Sequence, residues 1–321
     1  MKSIIKLPDF IKKLFIHREM FPFIALIGLM IVASVLSPHF LTYNNIRNLL
    51  SQVAIIAVLA AGQSYIILTG GIDLSVGSVL AFSGAAVGAL IKTAGFNVYL
   101  AILCALLLGT CCGLINGLLV AKMRIPSFVA TLAMMAAARG FALIITGGVP
   151  ISIFPEELTV MASYWGPISG LAYIMLIVYI LGQLILSRTR YGRYIYAIGG
   201  NEEAVRYSGV EADKIKIFVF AFSGFCAALG GIMMTARLDS AYPMAGQGFE
   251  LDAIASSVLG GVSFSGGLGS LTGTFFGSLI MASLNNILNL LRVSAFYQYI
   301  ARGVVLALAA ISLSKGTKFA K

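Results

Sequence analysis

VYLAILCALLLGTCCGLINGLLV, residues 98–120, runs without a single charged side chain. A helix needs ~20 apolar residues to cross the hydrocarbon core of a bilayer, so this stretch is of spanning length. It has company on both sides. With glycine, proline and charge as punctuation, about ten such runs follow one another, at roughly 20–37, 48–69, 74–94, 98–120, 126–147, 166–187, 217–237, 251–265, 271–290 and 296–314. A membrane barrel would instead alternate polar and apolar residues in segments of about ten, and these runs are continuous. The composition, 59% hydrophobic and 11% charged, agrees. The sequence therefore predicts an all-α integral membrane protein, a single transmembrane domain over 1–321.

A net charge of +10 in a soluble chain would point to nucleic acid. Here Lys and Arg sit between the apolar runs, where they set orientation, and nucleic-acid binding is excluded. With a cytoplasmic N-terminus, the inner side receives Lys2, Lys6, Lys12, Lys13 and Arg18, then Lys122 with Arg124, six basic residues from Arg188 to Lys216, and Lys315, Lys318 and Lys321. Only Arg47, Lys92, Arg237 and Arg292 fall outside. That asymmetry makes 1–19, 188–216 and 315–321 cytoplasmic, and leaves Gly147 to Gly166 as the main external loop. The first run has the charged entry of a signal peptide but no A-x-A site, so a retained first helix is expected. Cys104, Cys111, Cys112 and Cys226 all lie within apolar runs and read as small hydrophobes rather than a disulfide framework.

The polar insert RTRYGRYIYAIGGNEEAVRYSGVEADKIK, 188–216, is where the chain meets a soluble partner. Asn201 suits an N-cap, Glu202 and Glu203 place negative charge in a first turn, and Gly209 suits a left-handed helix end. The result is a helix of about two turns, too short to persist alone in water, so it needs a surface. Ala204, Val205 and Tyr207 offer it an apolar contact. The plain alternative is a solvated loop.

The eighth run is short and carries Gly260, Gly261, Gly266 and Gly267. Broken helices mark transport sites, while glycines also let membrane helices pack closely; both readings stand. Asp73 to Leu80 and Asp252 to Leu259 share the pattern D-x-x-x-x-S-V-L, through Ser78 and Ser257, 179 residues apart. Asn116-Gly-Leu-Leu echoes Asn285-Asn286-Ile-Leu at an offset of 169. Five spans separate each pair, which predicts an inverted-topology repeat and favours a transporter over an anchor or receptor. Asp73, Arg139, Asp252 and Arg302 lie at or within span limits and must face protein or water. The two aspartates serve either as helix caps or directly in coupling and passage. Asn116, Asn285 and Asn286 either line a hydrated path for a hydroxylated solute or bond helix to helix.

Glu203-Ala-Val-Arg-Tyr-Ser-Gly209 resembles the E-A-A-x-x-x-G signature of ATP-binding-cassette importer permeases, with Val205 at the third small position and the usual downstream proline missing. More specific are Leu68-Thr-Gly-Gly-Ile-Asp73-Leu-Ser-Val-Gly-Ser78, Thr189-Arg-Tyr-Gly-Arg193-Tyr-Ile-Tyr-Ala-Ile-Gly-Gly-Asn201-Glu, and Gly248-Phe-Glu250-Leu-Asp252-Ala-Ile-Ala with Val258-Leu-Gly260-Gly261. These look like the ribose-type monosaccharide permeases, and the likeness runs from about Ser37 to the C-terminus. It implies a type II (cobalamin-importer-like) permease of ten helices in the bacterial inner membrane. It also implies a second permease copy, two ATPase subunits and a periplasmic sugar-binding protein as partners. Coupling to the ATPase falls to Asn201, Glu202, Glu203, Ala204, Arg206 and Gly209. The motif residues Asp73, Ser78, Glu250, Asp252, Gly260 and Gly261 become structural or gating positions.

No G-x-x-x-x-G-K-[ST] phosphate loop occurs, so ATP and Mg2+ are expected in the partner and no cofactor or metal on this chain. Arg47, Arg237 and Arg292 are candidates to dock the binding protein; snorkelling to the interface is their simpler role. With His17 and His39 the only histidines and no catalytic motif, an enzyme is not expected. A secondary, ion-coupled transporter remains the competing reading, since it too uses inverted repeats and intramembrane carboxylates.

Overall fold

The computed structural model describes residues 20–316, so the basic segment 1–19 and the end of the tail, 317–321, lie outside the described residues. The helices are α1 (Met20–Leu36), α2 (Tyr43–Leu68), α3 (Val76–Lys92), α4 (Val98–Ala121), α5 (Ser127–Thr146), the short α6 (Glu156–Thr159), α7 (Gly170–Arg188), α8 (Arg190–Tyr207), α9 (Ala212–Leu238), α10 (Phe249–Leu259), α11 (Leu271–Leu290) and α12 (Ala295–Gly316). Six of them, α2, α4, α5, α7, α9 and α11, are long and apolar enough to cross a membrane. The chain is thus a multi-pass helical protein.

Each predicted run from 20–37 to 296–314 contains a helix, but the runs differ in reach. Helices α1 and α3 have 17 residues each, and α10 has only 11, about 16 Å. Helix α10 therefore cannot span by itself. Its shortness follows from Gly260 at its end and Gly261, whose φ of +88° takes the chain out of the helix. The same glycines also serve packing: a Cβ on Gly260 would lie 2.5 Å from the backbone of Gly273 in α11.

Helix α2 forms the centre, with 89% of its most apolar window buried against 22% for α5 at the periphery. Helix α9 packs on α2, α3 and α4, and α10 packs on α2, α11 and α12. Exchanging α2 with α9, α3 with α10, α4 with α11 and α5 with α12 preserves the main contacts: α3 meets α9 as α10 meets α2, α4 meets α9 as α11 meets α2, and α3 meets α4 and α5 as α10 meets α11 and α12. Small residues bring these helices to backbone distance. Gly109, Gly113 and Gly117 on α4 face Ala228, Gly224, Phe220 and Ile217 on α9, and a Cβ on Gly113 would stand 2.2 Å from the Phe220 carbonyl oxygen. Close approach of this kind replaces the hydrophobic drive that lipid cannot supply.

The bundle has two ends. One gathers the end of α2, the α4–α5 turn, α8 and the loop after α10; the Gly267 N–H donates to the Leu68 carbonyl at 2.9 Å. The other carries the 147–166 connection, which is built rather than loose. There β1 (Ile151–Ser152) pairs antiparallel with β4 (Ser240–Ala241), and β2 (Tyr164–Trp165) pairs with β3 (Ile168–Ser169).

Candidate functional site

At the first end, the insert is mostly helical, passing from α7 through α8 into α9, and α8 itself breaks once. Asn201 has extended backbone (φ −161°, ψ 100°), dividing α8 into 190–200 and a terminal turn-and-a-half. Its side-chain oxygen accepts the Ala204 N–H at 3.0 Å, and Gly209, at φ +83°, closes the segment. The capping chemistry expected at both ends is present.

The six coupling candidates part into two faces. Asn201, Glu203, Ala204 and Gly209 are exposed, as is Tyr207. Glu202 and Arg206 turn inward, into an ion network. Arg206 donates to Glu202 at 2.7 Å and bonds Asp213; Lys216 also bonds Glu202. The α4–α5 turn joins through Arg124, 3.9 Å from Glu202, and Lys122, 3.5 Å from Asp213. Burial works to raise the Glu202 carboxyl, but the hydrogen bonds from Lys216 and Arg206 outweigh it and hold it below the ordinary glutamate range. Val205, expected to offer an apolar contact outward, is buried beneath the segment instead, leaving Ala204 and Tyr207 outside. A cavity of about 480 Å³ opens beside the network, lined by Gly70, Gly71, Arg124, Glu202, Arg206 and Lys216 among others. Lys122, Arg124 and Asp213 escaped the sequence reading of this site; the only signal for the two cations was their shared side in the charge asymmetry.

In the interior, two non-helical segments, 69–75 and 239–248, precede α3 and α10, and the second lies against the first turn of α3. A Cβ on Gly77 would stand 2.3 Å from the Gly246 carbonyl oxygen. Backbone left without helical partners must be satisfied by side chains at membrane depth. Gln63 does so for the first segment, its amide lying 3.0 Å from the Asp73 carbonyl and 3.2 Å from the Asp73 N–H in the orientation that satisfies both. Arg139 does so for the second, donating to the carbonyls of Pro243 (2.7 Å) and Ala245 (2.9 Å).

The repeated aspartates diverge in role. Asp73 lies ahead of α3 and accepts from the Ser75 N–H (2.8 Å), the Ser75 hydroxyl (2.6 Å) and the Ser223 hydroxyl (3.0 Å). That is a turn closed ahead of the helix and tied to α9 through Ser223, without a bond to the free N–H groups of α3, so the capping expectation is not met at Asp73. Asp252 is the fourth residue of α10, too deep in the helix to cap it, so the capping reading is corrected there. It is fully buried and pairs with Arg302 of α12 at 3.3 Å. Ser78 and Glu250 flank the junction, Ser78 buried in α3 and the Glu250 carboxylate 2.6 Å from where a Gly77 side chain would begin.

All three asparagines engage in bonds between helices. Asn116 is buried and donates to Ser75 at 3.1 Å; Asn285 accepts from Arg302 at 3.3 Å; Asn286 exchanges 2.9 Å hydrogen bonds with Asn45. The opposite end holds the three arginines. Arg47 stacks on Tyr164, 3.7 Å from the ring centroid, and Arg237 donates to neighbouring Asn48 at 3.2 Å. Arg292 is exposed, six residues beyond Asn286.

A bundle of long apolar helices with two broken ones meeting inside is a polytopic membrane protein of the permease kind. Residues 45–310 match the family described as "Branched-chain amino acid transport system / permease component", and the chain belongs to that family. Relatives within it include the ribose import permease protein RbsC of Escherichia coli K12, 46% identical over 293 residues, 90% of this chain and 91% of the relative. The Bacillus subtilis protein of the same name is 43% identical over 299 residues, 92% of each chain. The L-arabinose ABC transporter permease protein AraH of Azospirillum brasilense is 38% identical over 277 residues, 85% of this chain and 81% of the relative.

Proposed function

We infer that the chain is the permease subunit of an ATP-driven, binding-protein-dependent importer for a monosaccharide, a ribose-like pentose or a related hexose. The observation that carries this is its identity with ribose import permeases over nine-tenths of both chains. The finer architecture follows from it: about ten crossings in the type II arrangement, an inverted repeat, and both termini cytoplasmic in a bacterial inner membrane. Support for the repeat comes from the exchange symmetry of the packing. Two permease copies, a homodimer in the simplest case, enclose the path.

The exposed face of 201–209 docks an ATPase subunit, which holds ATP and Mg2+. Closure of the ATPase pair pushes this segment, and its inward face hands the motion to the α4–α5 turn and α9. At the far end, Arg47, Arg237 and Arg292 receive the periplasmic binding protein; exposed pairs are worth only ~0–1 kcal/mol each and serve orientation. Outward-facing apolar side chains of α4 and α5 contact lipid.

Co-purification tests the reading. The chain is expected to carry an ATPase subunit out of the membrane, and Glu203→Lys or Gly209→Val to lose both that subunit and uptake while inserting normally. Uptake by the chain alone, driven by an ion gradient, would establish a secondary transporter instead.

A further inference from the structure

Segment 242–251, non-helical to Gly248 and then the first turn of α10, starts at a depth where lipid would not tolerate its non-helical part. Ser257 of α10 donates to the Ala60 carbonyl (3.3 Å) and bonds Ser64 (2.9 Å), and the loop after α10 meets Leu68 at the end of α2. Helices α10 and α2 therefore run together, and the start of α10, ~12 Å earlier along its axis, is level with the middle of α2. Non-helical backbone at that depth persists only inside protein or against water.

This segment is only partly inside the protein: Pro243, Ala245 and Gly246 are buried, while the side chains between them reach the surface. Tyr242 is 46% exposed and Tyr299, packed beside Gly248, is 55% exposed. Gln247 and Leu251 are exposed too, with Glu250, Arg139 and Arg302 half-buried around them. Charge here is balanced within the chain: Arg302 pairs with Asp252, and Arg139 and Glu250 attract each other. What remains facing outward is the Gln247 amide, the tyrosines Tyr242 and Tyr299, and the single aliphatic side chain of Leu251. Such groups suit a neutral solute bearing many hydroxyls, since an amide donates and accepts together and a ring face covers C–H surface. A permease–permease contact fits less well, because interface cores are depleted of charge and this patch holds four charged residues.

We propose that segment 242–251, with Tyr299 across from it, forms the wall of a water-filled path for a neutral polyhydroxylated solute, with Gln247 and Tyr299 as contact residues. The proposal rests on the importer reading. It adds contact residues to the path expected at Asn116, Asn285 and Asn286.

The test uses the assembled importer, permease with ATPase and binding protein, reconstituted in vesicles. In a background with Cys104, Cys111, Cys112 and Cys226 replaced by Ala, Gln247→Cys should react with a charged, membrane-impermeant methanethiosulfonate, and reaction should slow several-fold when ATP and sugar-loaded binding protein are supplied. Gln247→Leu and Tyr299→Leu should each cut sugar moved per ATP hydrolysed about tenfold while ATPase co-purification is unchanged. A Gln247→Cys that stays unreactive to the charged reagent in the resting assembly, and whose reactivity ATP and loaded binding protein do not change, would overturn the proposal. So would wild-type sugar-to-ATP ratios in both leucine variants. Failure of the wild-type assembly to bind its ATPase or import sugar would overturn the importer reading itself, a result separable from either of these.

Discussion

One methyl group distinguishes Gly113 from its neighbours. On Gly113 a Cβ would meet the Phe220 carbonyl at 2.2 Å, and backbone cannot step aside as a side chain can. On Gly140 of α5 it would meet nothing within 4 Å. Gly113→Ala should therefore force α4 from α9 and cost about 1–3 kcal/mol or more, whereas Gly140→Ala should gain up to ~1 kcal/mol in helix propensity. Thermal unfolding of the purified chain in detergent will read both, as a fall for the first and an unchanged or raised midpoint for the second. Both are simply glycines inside apolar runs, which is why no sequence pattern separates them. The same holds for Asp73 and Asp252: their shared motif was legible, but their divergence into a hydrogen-bonded tie and an ion-pair partner depends on Ser223 and Arg302, far along the chain.

The element that was most legible is the terminal segment of α8, because its stop signals are local. Asn201 and Gly209 act on backbone within a few residues, so identity alone announces them. The direction of Val205, Glu202 and Arg206 was not legible, since it is set by the α4–α5 turn and the start of α9. Two outcomes follow. Asn201→Ala should cost about 1 kcal/mol of local helix stability through the lost cap, seen as faster amide exchange over 202–207. Glu202→Gln should unfasten the segment from Arg124 and Lys216 and raise ATP hydrolysis per sugar imported, with ATPase docking retained through Glu203 and Ala204. Loss of docking in Glu202→Gln would place Glu202 on the outer face after all. The Glu202 carboxyl is depressed in the folded chain, so its contribution is complete above the unfolded value of ~4.3 and disappears only as pH falls through the lower folded one. Coupling should accordingly be flat with respect to this group between pH 6 and 8.

At the level of the molecule, the number and order of apolar runs came directly from composition and punctuation, and the short eighth run from its glycines. Hidden from the sequence were the two non-helical segments before α3 and α10, because each is satisfied by a remote side chain, Gln63 or Arg139. The importer reading predicts that the intact complex isolated with its ATPase contains two copies of this chain; native mass measurement giving one copy per complex would refute the homodimer. A last consequence concerns the seam where Gly199 of α8 lies against Leu68, Gly266 and Gly267. A Cβ on Gly199 would fall 1.9 Å from the Leu68 carbonyl oxygen, so main chain bears on main chain with no side chain between. Such a joint has no rotamers to absorb displacement: it behaves as a stiff strut that binds the first part of α8 to the end of α2 and to the loop after α10 as one body.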